Sequence, residues 1–320
     1  MNKQKPPKRT LAYFTTPFGR KLVFFAAGTT TVGLFLGNFL PHTFLLNKYQ
    51  EFVQCYKDGI VRRVPDVIEA RLEKAMNILD VAPYERRILK PFVVYGFDMF
   101  TAGSTKSKYG GLIGIPTNYS YTSIDTIDRS EIRFRNEQIK WGSESGQMLQ
   151  EALVLTEDEQ IFGMCKAILQ LQTQRVMLNA VFPSVSFMAV YSVGNYLNHK
   201  LNLLAKPLSL RLMMYTFLGL FGVGSWSFMK DYNQVLYDTS SDKKLSALGP
   251  EFVDAGVRYY DKLLKKNMAL RALIGDDTYT SKGNENFYLR QKSLPLTIHK
   301  AFFEEEWKKL KGEKQEQVAQ

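Results

Sequence analysis

Histidine and cysteine are scarce in this chain, and that scarcity narrows its chemistry. Its 320 residues hold three histidines, His42, His199 and His299, and two cysteines, Cys55 and Cys165. No two histidines lie within five residues of each other, so a local histidine metal motif is missing. The cysteines form no CxxC pair and stand 110 positions apart, which argues against a disulfide scaffold and a cysteine zinc cluster. GxSxG, HExxH, Walker A, GxGxxG and EF-hand patterns are absent, as is any internal repeat. Acidic residues are numerous, but no spacing pairs two of them as general acid and base. These absences point to a chain that is not an enzyme and requires no cofactor.

Acid is also missing locally, beside long uncharged runs. Residues 22–40, 176–198 and 212–229 carry no charge, and runs of about 18 or more apolar residues are candidate transmembrane helices. The middle run contains Asn179, Pro183, Ser184, Ser186, Asn195 and Asn198, so hydropathy alone leaves it open between a span and a buried helix. The charge distribution favours a span. Residues 1–40 carry six cations and residues 199–211 three, with no acid in either, so they hold +9 of the net charge of +11. The long segments 41–175 and 230–320 are nearly balanced. Three spans place both basic segments on one side of the bilayer, as the positive-inside rule requires, whereas two spans would separate them. The net charge therefore needs no nucleic acid to explain it.

The resulting organisation is a basic tail (1–21), span 22–40, a first soluble part (41–175), span 176–198, a basic loop (199–211), span 212–229 and a second soluble part (230–320). The fold class is an α+β membrane protein with an N-terminal anchor and a membrane hairpin. The two soluble parts together make a discontinuous helical domain with a small antiparallel sheet. A helix is expected from Pro65 to Leu79. Short strands are expected within residues 90–141, where Gly103, Gly110 and Gly111 serve turns rather than a phosphate cradle. Thr156-Glu157-Asp158-Glu159 reads as a capping box, and its helix is expected to run on into the second span. Another helix should occupy 250–274 and end at Gly275, and a charged helix should close the chain.

Several segments together resemble the transmembrane protein 177 family of mitochondrial inner-membrane proteins. They are KPFVVYGFDMFTAG, the GIP at residues 114–116, LTEDEQIF, VRYYDKLLKKNMALRALIG and SLPLT. The resemblance implies a multi-pass protein of the mitochondrial inner membrane with its domain in the intermembrane space. It further implies a non-enzymatic role in stabilising or assembling cytochrome c oxidase subunit 2. The implied partners are that subunit, its membrane chaperone and its copper chaperones, with the lipid bilayer around the spans and no nucleic acid. Within the most specific segment, Asn267 and Arg271 are candidate partner-binding residues. Direct copper carriage would need Cys55 and Cys165 brought together by folding, because copper(I) favours close soft ligands.

The layout of sheet, capped helix, membrane hairpin and a helix carrying EFVDAG also resembles membrane zinc peptidases of the gluzincin type. That resemblance implies a degenerate peptidase-like scaffold, and the alternative function is a membrane-bound hydrolase with an atypical or inactive site. Where such enzymes carry HExxH this chain reads Lys166-Ala167-Ile168-Leu169-Gln170, without either histidine ligand or the catalytic glutamate.

Overall fold

The computed structural model describes residues 13, 14, 16–134, 137–275 and 277–319. In chain order the elements are α1 (Pro17–Phe39), α2 (Leu46–Val53), β1 (Tyr56–Lys57), β2 (Ile60–Val61), α3 (Asp66–Ile78), α4 (Pro83–Ile88), β3 (Leu89–Val94), β4 (Phe100–Ser104), β5 (Gly110–Pro116), β6 (Arg133–Phe134), β7 (Glu137–Gln138), α5 (Glu144–Leu153), α6 (Glu157–Leu171), α7 (Arg175–Lys200), α8 (Leu208–Ser246), α9 (Pro250–Ile274) and α10 (Leu296–Ala319). They fall into two compact units. One comprises described residues up to Pro41 with Val176–Lys230, and the other His42–Arg175 with Asp231 onward.

The first unit is built from the three helices long and apolar enough to cross a membrane. Thr16 caps α1 by accepting from the Gly19 N–H at 3.1 Å, and Pro17 fills a position where no N–H is needed. Small polar side chains join the helices: Ser186 Oγ donates to the Gly222 carbonyl at 2.6 Å and Ser184 Oγ to the Thr31 carbonyl at 3.0 Å. Hydroxyls suit this task because they let backbones approach and leave no donor unsatisfied in lipid. Large apolar side chains such as Phe25 and Phe221 are exposed on its surface, as a bilayer-facing helix requires.

In the second unit, β5 is the centre of a three-stranded sheet and is buried along its whole length. The sheet is mixed, which corrects the expected antiparallel arrangement: β5 pairs antiparallel with β4 but parallel with β3. Alternation of apolar residues reports which face a side chain takes and is the same for both pairing directions. The short β6–β7 and β1–β2 pairs are antiparallel.

Helix α6 begins with the expected reciprocal cap. Thr156 Oγ1 accepts from the Glu159 N–H, and a Glu159 carboxylate oxygen accepts from the Thr156 N–H at 2.8 Å. It does not run on into the next helix as expected. The chain breaks after Leu171, where Ser104 Oγ donates to the Leu171 and Thr173 carbonyls at 2.9 and 3.0 Å, and the Thr105 N–H donates to Leu171 at 3.0 Å. Strand β4 thus satisfies carbonyls that another helical turn would have used. Helix α9 has the predicted limits, with Pro250 at its start and Gly275 in the left-handed region at its end.

The main core lies where α3, α6, α9 and α10 meet the sheet. Phe162 of α6 is fully buried, its ring 5.2–5.8 Å from those of Tyr259, Tyr260 and Phe303. Gly256 permits this approach, because a Cβ there would lie 2.7 Å from the Phe303 ring and 3.0 Å from that of Phe162. A smaller core joins α5 to the end of α9 through Leu149, Leu153, Ala269 and Leu270. Phe162→Ala should lower unfolding stability by about 3–5 kcal/mol. Leu263→Ala, at a half-buried position on the same core, should cost less; thermal and denaturant unfolding in detergent compare the two.

Candidate functional site

Tyr260 of α9 stands at the junction of four helices. Its ring stacks on His299 of α10 at 4.7 Å with an interplanar angle of 8°, and its hydroxyl donates to Oδ1 of Asp242 in α8 at 3.1 Å. Asp242 accepts a second bond, on Oδ2, from His299 Nδ1. From α6, the Lys166 ammonium donates to the Tyr260 oxygen at 2.8 Å and lies 4.7 Å from the centre of its ring. Asp242 and His299 are 2% exposed and Tyr260 is fully buried.

Burial and the Lys166 charge hold the His299 imidazole below its ordinary pKa, against the opposing pull of Asp242 and Asp238. Burial, with Asp242 beside it, keeps the Tyr260 phenol well above its usual value. The protons are therefore ordered: Lys166 donates to Tyr260, while Tyr260 and neutral His299 both donate to the Asp242 carboxylate. One anion and one cation compensate each other through a phenol, which meets the requirement that a buried charge be paired and hydrogen-bonded. This arrangement ties helices together and leaves Asp242, Tyr260 and His299 little access to a substrate, while Lys166 is half-buried.

A second charged junction lies at the capped end of α6. Glu159, 1% exposed, is paired with Lys262 at 2.8 Å and Arg258 at 3.6 Å, both from α9. These side chains line a groove of about 330 Å³ that also includes Asp261, Lys265 and Lys300. Lys265 and Lys300 both pair with Asp261, at 2.9 and 2.7 Å. The groove is consequently a charge-paired face rather than a patch of one sign.

The two sequence-predicted contact residues have different surroundings. Asn267 is buried, and its Nδ2 donates to the Gly283 carbonyl at 2.8 Å. Arg271 is more open, 3.6 Å from Asp277, and its carbonyl accepts the capping N–H of Gly275. Neither belongs to the Tyr260 cluster as described by these contacts. Cys165 is fully buried against the Ala75 carbonyl, and desolvation raises its thiol pKa to about 12, which suits a packed neutral thiol. Cys55 is also buried. Among the described residues no group of three or more histidine, cysteine or acidic side chains is placed to hold a metal. At the first position of the peptidase-like window stands the cation Lys166, already bonded to Tyr260.

Sequence reasoning missed Asp242, Tyr260 and His299 as a unit, since Asp242 and His299 are 57 positions apart. A local signal did exist: Asp238 and Asp242 are acids four residues apart, beyond the apolar part of a span-length helix. Burying such residues calls for partners.

The profile of the family described as Transmembrane protein 177 matches residues 80–286. The chain belongs to the transmembrane protein 177 family. Curated relatives named Transmembrane protein 177 include the Rattus norvegicus protein, 27% identical over 68% of this chain and 72% of its own length. The Xenopus laevis protein is 25% identical over 84% and 88% of the respective chains, and the Homo sapiens protein 23% over 86% and 89%. No solved structure matches, so the likeness to a zinc-peptidase scaffold finds no support there. The transmembrane protein 177 match contains Lys166, Asp242 and Tyr260 and ends before His299.

The lowered His299 pKa gives the cluster a pH signature. Below about pH 6.5 an unfolded histidine takes up a proton that the folded site resists, so this contribution is present above that pH and is lost as pH falls. The thermal midpoint should therefore fall between pH 7 and 5. His299→Phe should lower stability at pH 7 and flatten the slope; an unchanged slope would remove His299 as its source.

Proposed function

We propose that this protein is a non-enzymatic accessory factor of the mitochondrial inner membrane that stabilises or assists assembly of cytochrome c oxidase subunit 2. It would act by binding that subunit's membrane chaperone and copper chaperones, with its folded domain in the intermembrane space. The observation that carries this reading is membership of the transmembrane protein 177 family. The site's chemistry agrees with it. The polar groups of the LTEDE and VRYYDK segments join helices: Glu159 holds Lys262, and Tyr260 links Lys166 to Asp242. Such a domain presents a fixed surface to a partner, and a rigid surface binds with less loss of entropy.

The basic flanks of the spans support the orientation: under the positive-inside rule the tail 1–21 and the loop 199–211, rich in Lys and Arg and free of acids, would both face the matrix. Of the two candidate contacts, Arg271 is the more accessible, since Asn267 is buried.

Deleting the gene should reduce the amount of newly made cytochrome c oxidase subunit 2 that survives a chase, and re-expression should restore it. Arg271→Glu should preserve the protein's abundance while reducing co-purification of the oxidase chaperones. Normal subunit 2 survival in the deletion, with no recovery of those chaperones on the wild-type protein, would overturn the proposal.

A further inference from the structure

The first unit has a feature that its role as an anchor does not explain. Residues 1–41 and 176–230 contain ten lysines and arginines and no aspartate or glutamate. Three basic side chains of the unit, Arg20, His199 and Arg211, stand in the first turn of α1, the last turn of α7 and the first turn of α8, and all line one groove of about 580 Å³. No carboxylate within this unit is available to balance the groove.

Away from these helix ends the walls become apolar. Phe24 of α1 and Phe187, Val190 and Tyr191 of α7 continue the groove. Phe187 lies twelve residues before His199, which at about 1.5 Å per residue gives a wall of ~18 Å. That is close to one leaflet of a hydrocarbon core about 30 Å thick. Thus the groove has a cationic mouth and an apolar bed of leaflet depth.

The mouth also contains polar atoms with unused bonding capacity. Asn198 is only 8% exposed; its Nδ2 donates to the Tyr215 hydroxyl at 2.5 Å, but its Oδ1 has no hydrogen-bond partner among the described residues. The buried Nε of Arg211 likewise lacks a partner there. Asn198 and Arg211 both line the groove, and an unpartnered acceptor and a cationic donor among its lining residues match a phosphate ester carrying a hydroxyl.

We propose that this groove is a binding site for one anionic phospholipid with a hydroxylated headgroup. The phosphate sits among Arg20, His199 and Arg211, a headgroup hydroxyl donates to Asn198 Oδ1, and an acyl chain lies along Phe24, Val190 and Tyr191. Basic pockets between membrane helices select anionic headgroups in this way. Neither the partner chaperones nor the contacts of the second unit enter into the site.

The test uses the full-length protein in detergent, equilibrated with vesicles containing equal amounts of phosphatidylcholine and phosphatidylglycerol, with retained lipid counted by native mass spectrometry. Wild-type protein should retain one phosphatidylglycerol with a preference of roughly thirtyfold, the factor expected of two arginines near the surface. The Arg20→Gln, Arg211→Gln double variant should approach parity. Equal retention of both lipids by the wild type, an unchanged preference in the double variant, or displacement of the lipid by inorganic phosphate would overturn the proposal. A photoactivatable phosphatidylglycerol tests the wild-type protein independently of that variant's folding: labelling of the peptide holding Phe187 to Tyr191 supports the site, and labelling confined to other peptides rejects it.

Discussion

A carboxylate buried in a helix must find its hydrogen bonds inside the protein, and Asp242 finds them on two other helices. Tyr260 of α9 occupies one oxygen and His299 of α10 the other, while Lys166 of α6 supplies the balancing charge through the Tyr260 hydroxyl. The surrounding core depends on the same positions. Phe162 lies one helical turn before Lys166 and packs against Tyr260 and Phe303, so displacement of the polar cluster would also disturb the largest apolar contacts. Buried ion pairs often add little net stability, yet losing one member leaves the other uncompensated. The cluster therefore fixes one arrangement of these helices more than it strengthens any single contact.

Charge is divided sharply between the two units. The membrane unit has cations and no acids, while buried acids of the folded unit find partners within it: Glu159 pairs with Lys262, Glu85 with Lys106, Asp242 reaches Lys166 through Tyr260, and Asp238 accepts from the Gln234 amide and the Leu294 N–H. The physical demands differ accordingly. Span flanks use unbalanced Lys and Arg to set orientation, whereas a packed interior requires each charge to have a partner.

Capping and hydropathy signals in the sequence were read correctly, whereas the glycines expected in turns lie in strands, Gly103 in β4 and Gly110 and Gly111 in β5. Thr156 and Glu159 form the reciprocal cap, Pro250 and Gly275 bound their helix, and the uncharged runs lie within long helices, because each signal involves neighbours in the chain. Non-local pairing was not legible. The parallel partnership of β3 with β5 has the same alternation as an antiparallel one. The stop after Leu171 depends on Ser104 and Thr105, far earlier in the chain. Helix α8 continues past the apolar run to Ser246 because hydropathy limits the lipid-matched length, while polar residues can carry the same helix onward. Asp242, Tyr260 and His299 illustrate the same point for the site: each is an ordinary residue alone, and the fold gives them a common role.

The central claim is that Lys166 and Asp242 compensate each other across Tyr260, and a double-mutant cycle measures this most directly. Lys166→Met and Asp242→Asn each leave one charge without its counterpart, whereas the double variant removes both. The account predicts that the double variant is more stable than the sum of the two single losses implies, by about 1 kcal/mol or more in unfolding free energy. Additive losses, within the scatter of about 0.3–0.5 kcal/mol found for independent sites, would contradict it.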